Sequence, residues 1–147
     1  MVQLTLDQAS IIVDTAIAHA RRSGLKPMCI VVLDAGGHML ALKREETASY
    51  GRVQIATAKA SGCLGLGFGG RETARRAQTN PAFYGSLASV LPHGFVPVAG
   101  GVLIRNAAGT LTGAAGVTGD TADNDEQCAL AGIQAAGLVA DSGAPAG

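Results

Sequence analysis

The sequence predicts an α/β domain of the α+β kind, in which a single antiparallel sheet is flanked by helices. Two pairs of strand-like segments are each joined by a short turn, which is typical of β-hairpins, and hairpins pair antiparallel strands. Helical patterns precede, separate and follow these hairpins. The predicted order is therefore helix, hairpin, helices, hairpin, helix, which does not fit the parallel sheet of a Rossmann-type fold.

The first helix is predicted over residues 6–23. Thr5 and Gln8 form a capping box ahead of it, and Gly24 suits the position just after its end. Apolar residues recur between these limits at helical spacing: Ala9, Ile12, Val13, Ala16 and Ala20.

The first hairpin follows Pro27. Residues 28–33 are a continuous apolar run, too short for a typical helix and rich in β-branched side chains, which indicates a buried strand. The sequence Asp-Ala-Gly-Gly over 34–37 predicts a turn, and residues 38–43 return as the second strand.

The rest of the chain alternates in the same way. Helices are predicted over 48–66, over 72–78 and from Pro81 to about residue 90. A second hairpin follows, with strands at 98–105 and 111–117 and a turn at 106–109. Thr121 or Asp123 caps a last helix that runs to about Val139, and residues 142–147 form a loose tail.

Composition limits the classes of function. A chain of 147 residues suits one domain, here 1–147, and 48% apolar against 15% charged residues excludes disorder. The 11 basic and 11 acidic residues balance, which argues against nucleic acid or an anionic membrane as the main partner. Because aromatic residues make up only 3%, we expect additional burial in a homo-oligomer.

The expected location is the cytoplasm. The N-terminal segment lacks the basic start and apolar run of a signal peptide, and no segment approaches the roughly 20 apolar residues of a membrane-spanning helix. The three cysteines are scattered, which is typical of free thiols in a reducing compartment.

Several motifs together resemble the GlcG/HbpS-like family, which includes the C-terminal domain of PduO-type corrinoid adenosyltransferases. They are Val-Leu-Asp-Ala-Gly-Gly-His at 32–38 followed by Arg44, Ala-Lys-Ala at 58–60, Gly-Gly-Val-Leu-Ile at 100–104, Gly-Ala-Ala-Gly-Val-Thr-Gly at 113–119, Asp125, and Cys-Ala at 128–129. The resemblance implies a profilin-like layered domain, a sheet of about five strands with helices on both faces, and dimers that often form octamers. It also implies haem or tetrapyrrole binding in some members. One departure is Leu103, where the family hairpin usually has proline.

Haem binding would need an axial iron ligand and partners for the propionates. We expect His93, in a Pro/Gly loop, or His19, beside the apolar stripe of the first helix, to ligate the iron. Arg44 and Lys59 match motif positions and would pair with the carboxylates. Backbone around Gly100, Gly101, Thr118 and Gly119 would approach the ligand closely.

Each assignment has a structural alternative. His19 also suits a helix edge or subunit contact, the two cations suit surface ion pairs, and the glycines suit bulges and tight turns. A second functional class also stays open. A cofactor-independent enzyme of small-molecule catabolism would hold a carboxylated substrate on Arg44, Lys59 and the glycine-lined backbone, while His93 or an acidic side chain moves a proton.

Overall fold

The computed structural model describes residues 3–145. Its elements, in chain order, are α1 (Leu6–Arg22), β1 (Cys29–Asp34), β2 (Met39–Arg44), α2 (Arg52–Leu66), α3 (Gly70–Thr79), α4 (Pro81–Ser86), a 3₁₀ turn (Leu87–Ser89), β3 (Gly101–Arg105), β4 (Leu111–Thr118), α5 (Ala122–Ala135) and β5 (Val139–Asp141). The predicted fold class is confirmed: the five strands form one sheet in the order β2-β1-β4-β3-β5, and every neighbouring pair is antiparallel.

Most helices and strands lie close to where the sequence predicts them. The capping box at Thr5 and Gln8 is present, and Thr121 caps α5 by accepting a hydrogen bond from the backbone N–H of Asn124. The hairpin strands lie within a few residues of their predicted positions. The fourth predicted helix, from Pro81 to about residue 90, is shorter than expected, because the α-helix stops at Ser86 and continues only as a 3₁₀ turn.

The C-terminal region differs from the prediction. The last helix ends at Ala135, because Gly137 adopts a left-handed φ of +77° and turns the chain away. Val139 then belongs to β5, which pairs with β3, rather than to the helix. Ser142 and Gly143, predicted as part of a loose tail, accept hydrogen bonds from the Arg71 backbone and the Arg75 side chain. Residues 146–147 of that tail lie outside the described range.

The helices cover the two faces of the sheet. Helices α1 and α5 pack against each other and against one face, where they bury Ile30, Val32 and Val117 among others. Helix α2 covers the opposite face over β1, β4 and β3, where Val31 and Leu103 are buried. The residues that matter for the site lie around α2 and at the ends of the strands beneath it.

Within residues 3–145, no helix combines the length and apolar character needed to cross a membrane.

Candidate functional site

The glycines of the second hairpin let α2 pack directly on the sheet. A Cβ atom at Gly101 would lie 2.6 Å from the carbonyl oxygen of Lys59, and one at Gly116 would lie 2.0 Å from that of Ala56. A Cβ at Gly119 would lie 2.3 Å from the carbonyl oxygen of Pro27. At these positions the group that approaches the backbone closely is another part of the same chain.

Lys59 lies beneath this contact, inside the protein. Only 5% of the residue is exposed, and its Nζ donates to the carbonyl oxygen of Val117 at 2.9 Å and to Asp125 Oδ2 at 3.2 Å. Asp125 Oδ1 also accepts a hydrogen bond from the backbone N–H of Asp120. Burial lowers the pKa of Lys59, and the neighbouring Asp125 carboxylate opposes that shift. The pair therefore joins α2, β4 and the start of α5, and the ammonium is directed at protein groups.

Gly100 completes this arrangement. It is buried with a left-handed φ of +112°, and a Cβ there would lie 2.8 Å from the Lys59 ammonium. Glycine at this position provides both the backbone conformation and the space for the lysine side chain.

Arg44, Arg52 and Thr118 lie at the same end of the sheet, where α2 begins, and we call this group the arginine end. Arg44 on β2 and Thr118 on β4 are both register partners of Cys29 on β1. Arg44, Cys29 and Thr118 therefore lie in one row across the sheet. Arg52, the first residue of α2, donates from Nη1 to Thr118 Oγ1 at 2.8 Å. Thr118 is thus not open to a ligand by itself but positions an arginine.

Arg44 organises the loop that leads into α2. Its Nη1 donates to the carbonyl oxygens of Glu45, Glu46 and Ala48, at 3.1, 3.2 and 2.7 Å. The residue is otherwise exposed, and the guanidinium has further N–H donors besides those on Nη1.

Arg44 and Arg52 differ from most other basic side chains of the described structure because they have no ion-pair partner. Within residues 3–145, neither Arg44 nor Arg52 has a carboxylate within ion-pair distance. Seven of the other basic side chains do have such a partner: Arg21, Lys43, Lys59, Arg71, Arg75, Arg76 and Arg105. The arginine end can therefore receive carboxylates from outside the protomer.

The two candidate iron ligands lie away from each other. His93 is exposed in the turn after the 3₁₀ segment, two residues before Phe95, whose ring faces Gly62 on α2. Gly62 is ten residues along the helix from Arg52, a rise of about 15 Å. His19 is half-buried on α1, across the sheet from α2. Neither ring forms a hydrogen bond or ion pair within the described residues.

Two cavities lie at the other end of the sheet. The larger, about 400 Å³, is lined by residues of the N-terminal segment and the two hairpins, including Leu4, Asp34, His38 and Leu111. The smaller, about 220 Å³, lies between the first hairpin turn and the end of α2. Neither is lined by a residue of the arginine end, so a large ligand held there would occupy the surface of the protomer.

Part of this site follows from the sequence. Arg44 and Thr118 were predicted, and the fold brings them into one row; Lys59 was predicted too, but the fold places it in the interior. Arg52 was not predicted to bind the ligand. The contact between Arg52 and Thr118 spans 66 residues of sequence, so only the fold reveals it.

Comparisons with known proteins agree on one family. A family profile described as "Haem degrading protein HbpS-like" matches residues 4–134. The crystal structure of HbpS is 27% identical, with a TM-score of 0.78 over 91% of this chain and 90% of that one. The protein ORFY of Klebsiella pneumoniae is 25% identical, with a TM-score of 0.82 over 93% of each chain.

PduOC in complex with heme has the same fold, with a TM-score of 0.83 at 24% identity over 94% of this chain and 98% of that one. No curated protein matches the chain.

Proposed function

The chain belongs to the HbpS-like family, and on this premise we propose that it binds haem or a related tetrapyrrole. The family profile is described by haem degradation and covers most of the chain, and HbpS itself is among the similar structures. These likenesses support the ligand class. The chain's own residues indicate the place of binding.

The arginine end is the observation that carries the proposal. A haem-type tetrapyrrole presents two propionates, and Arg44 and Arg52 are two guanidiniums without carboxylate partners in the described structure. Guanidinium groups bind carboxylates through paired, charge-assisted hydrogen bonds. In this proposal Arg52 takes the role that the sequence suggested for Lys59, because Lys59 is buried and already paired with Asp125.

The proposed iron ligand is His93 or His19. Both imidazoles are at least partly exposed and form no bond to the rest of the described chain, so a ring nitrogen of each is available to a metal.

A subunit interface would complete the site. At the arginine end Arg44 is exposed and Arg52 half-buried, and neither lines one of the two cavities described above, whereas ligand sites bury most of a ligand of this size. We therefore propose that a second copy of the chain covers the ligand in a cytoplasmic homo-oligomer. In that arrangement the arginines and the histidine ligand need not come from the same protomer.

Hemin titration tests the proposal. Addition of hemin to the purified protein should shift the Soret band stoichiometrically, and Arg44→Ala and Arg52→Ala should each weaken binding by about tenfold or more. Arg22→Ala is the matched control, since Arg22 on α1 is an exposed cation that has no ion pair within the described part of the chain. His93→Ala and His19→Ala identify the ligand by loss of the ligand-specific spectrum. A wild-type protein that leaves the Soret band unchanged would contradict the proposal.

A further inference from the structure

Tyr50 is an aromatic side chain left in solvent beside the arginine end. Its exposed fraction is 86%, the highest among the exposed large apolar and aromatic residues. The other four aromatic residues of the chain have packing partners. The ring of Phe68 lies under the guanidinium of Arg76, with 4.1 Å between the guanidinium carbon and the ring centroid. The ring of Tyr84 packs against that of Phe83 on one side and that of Phe95 on the other.

The backbone around Tyr50 is held in place on both sides. Arg44 binds the carbonyl oxygen of Ala48, two residues earlier, and Arg52, two residues later, binds Thr118. The Tyr50 carbonyl itself accepts a hydrogen bond from the N–H of Val53 in the first turn of α2. Because two residues of extended chain span at most about 7 Å, the Cα of Tyr50 lies within that distance of both Ala48 and Arg52.

An exposed aromatic residue on the loop between Arg44 and Arg52, two guanidiniums without a carboxylate partner in the described structure, matches one class of ligand, a planar aromatic molecule that carries carboxylates. Exposure of a tyrosine ring forgoes the burial that normally stabilises it, whereas a planar partner would restore that contact. The ring has only two side-chain torsions, so ordering it against a ligand costs little conformational entropy.

We infer that Tyr50 stacks on the face of the tetrapyrrole whose carboxylates Arg44 and Arg52 receive. This inference rests on the proposed function and adds a positioning residue to it. The role belongs to the aromatic ring, so it requires neither the phenol hydroxyl nor the iron. It therefore extends to an iron-free porphyrin with the same carboxylates.

Three variants and two ligands test the inference. Binding of hemin is followed by absorbance and binding of iron-free protoporphyrin IX by its fluorescence, for wild type, Tyr50→Ala, Tyr50→Phe and the control Phe83→Ala. Phe83 is a half-exposed aromatic residue on α4, away from the arginine end. We expect Tyr50→Ala to weaken both ligands by about tenfold, and Tyr50→Phe and Phe83→Ala to bind as wild type does.

Each other outcome excludes the stacking role in a recognisable way. Equal affinities for wild type and Tyr50→Ala overturn it and leave the proposed function intact. A loss confined to hemin and shared by Tyr50→Phe would indicate iron ligation by the phenol instead. If Tyr50→Ala weakens binding and light scattering shows that the variant also forms a smaller oligomer, the loss is explained by Tyr50 acting as a subunit contact. Failure of wild type to bind either ligand overturns the proposed function as well.

Discussion

The Lys59 ammonium lies 3.2 Å from Asp125 Oδ2 in the protein interior, where the two side chains are only 4% and 2% exposed. Because a buried charge that loses its partner keeps its full desolvation cost, Lys59→Met should destabilise the fold by about 3–5 kcal/mol. Urea unfolding measures this change.

The double variant Lys59→Met/Asp125→Asn separates the ion pair from its surroundings. Removing the second charge should restore part of the lost stability. The sum of the losses in unfolding free energy of the two single variants should therefore exceed the loss of the double variant. Hemin affinity of folded Lys59→Met should stay close to that of wild type, because the lysine faces protein groups. Simple additivity of the two substitutions would contradict the pairing.

Gly116 makes the closest backbone approach of the second hairpin to α2. A Cβ atom there would lie 2.0 Å from the Ala56 carbonyl oxygen, so Gly116→Ala must push the helix away and should cost about 3 kcal/mol. Gly85→Ala is the matched control, because a Cβ at Gly85 on α4 meets nothing within 4 Å. That variant should be neutral or more stable by up to about 1 kcal/mol. Equal thermal midpoints for the two variants would be inconsistent with this packing.

The three cysteines should react slowly in the native protein. Burial raises the pKa of Cys63 to about 12 and those of Cys29 and Cys128 to about 11, so the reactive thiolate is scarce at neutral pH. Ellman's reagent should therefore titrate the thiols rapidly only in denaturant. Rapid reaction of any one thiol in native buffer would show that its surroundings open readily.

Asp120 should contribute to acid sensitivity. Hydrogen bonds from the Asn124 side chain and from the backbone N–H groups of Lys26 and Thr121 lower its pKa from 3.8 to about 2. A carboxyl with a lowered folded-state pKa stabilises the fold above its unfolded value, and that contribution disappears as the pH falls from 3.8 towards 2. The stability difference between wild type and Asp120→Asn should therefore shrink over that interval in unfolding curves taken at several pH values. A constant difference would exclude the linkage.

The fold was largely predictable because most of its helices and turns are specified by residues close together in the sequence. The capping residue Thr5 and the glycine turn at 34–37 each act within a few residues of chain, and both are present in the structure. β5 was not predictable in this way. Its three residues form a strand only because β3 offers an unpaired edge, and that edge is created by distant parts of the chain.

The candidate site was predictable only in part, for the same reason. The residue types at Arg44 and Lys59 suggested carboxylate binding equally, and the sequence contains nothing that distinguishes them. The difference arises from α5, which places Asp125 next to Lys59, while the described structure brings no carboxylate to Arg44. Tyr50 gave no signal at all, since its exposure depends on how the β2–α2 loop is held.

The central pairing of the sheet also sets an order for its assembly. Each hairpin joins strands separated by a short turn, whereas β1 meets β4 with Cys29 opposite Thr118, 89 residues later in the chain. Closing so long a segment costs chain entropy before the contacts between β1 and β4 can offset that cost. The two hairpins can therefore form early and independently, and the folding rate should be governed by their docking side by side, as expected for a chain of high contact order.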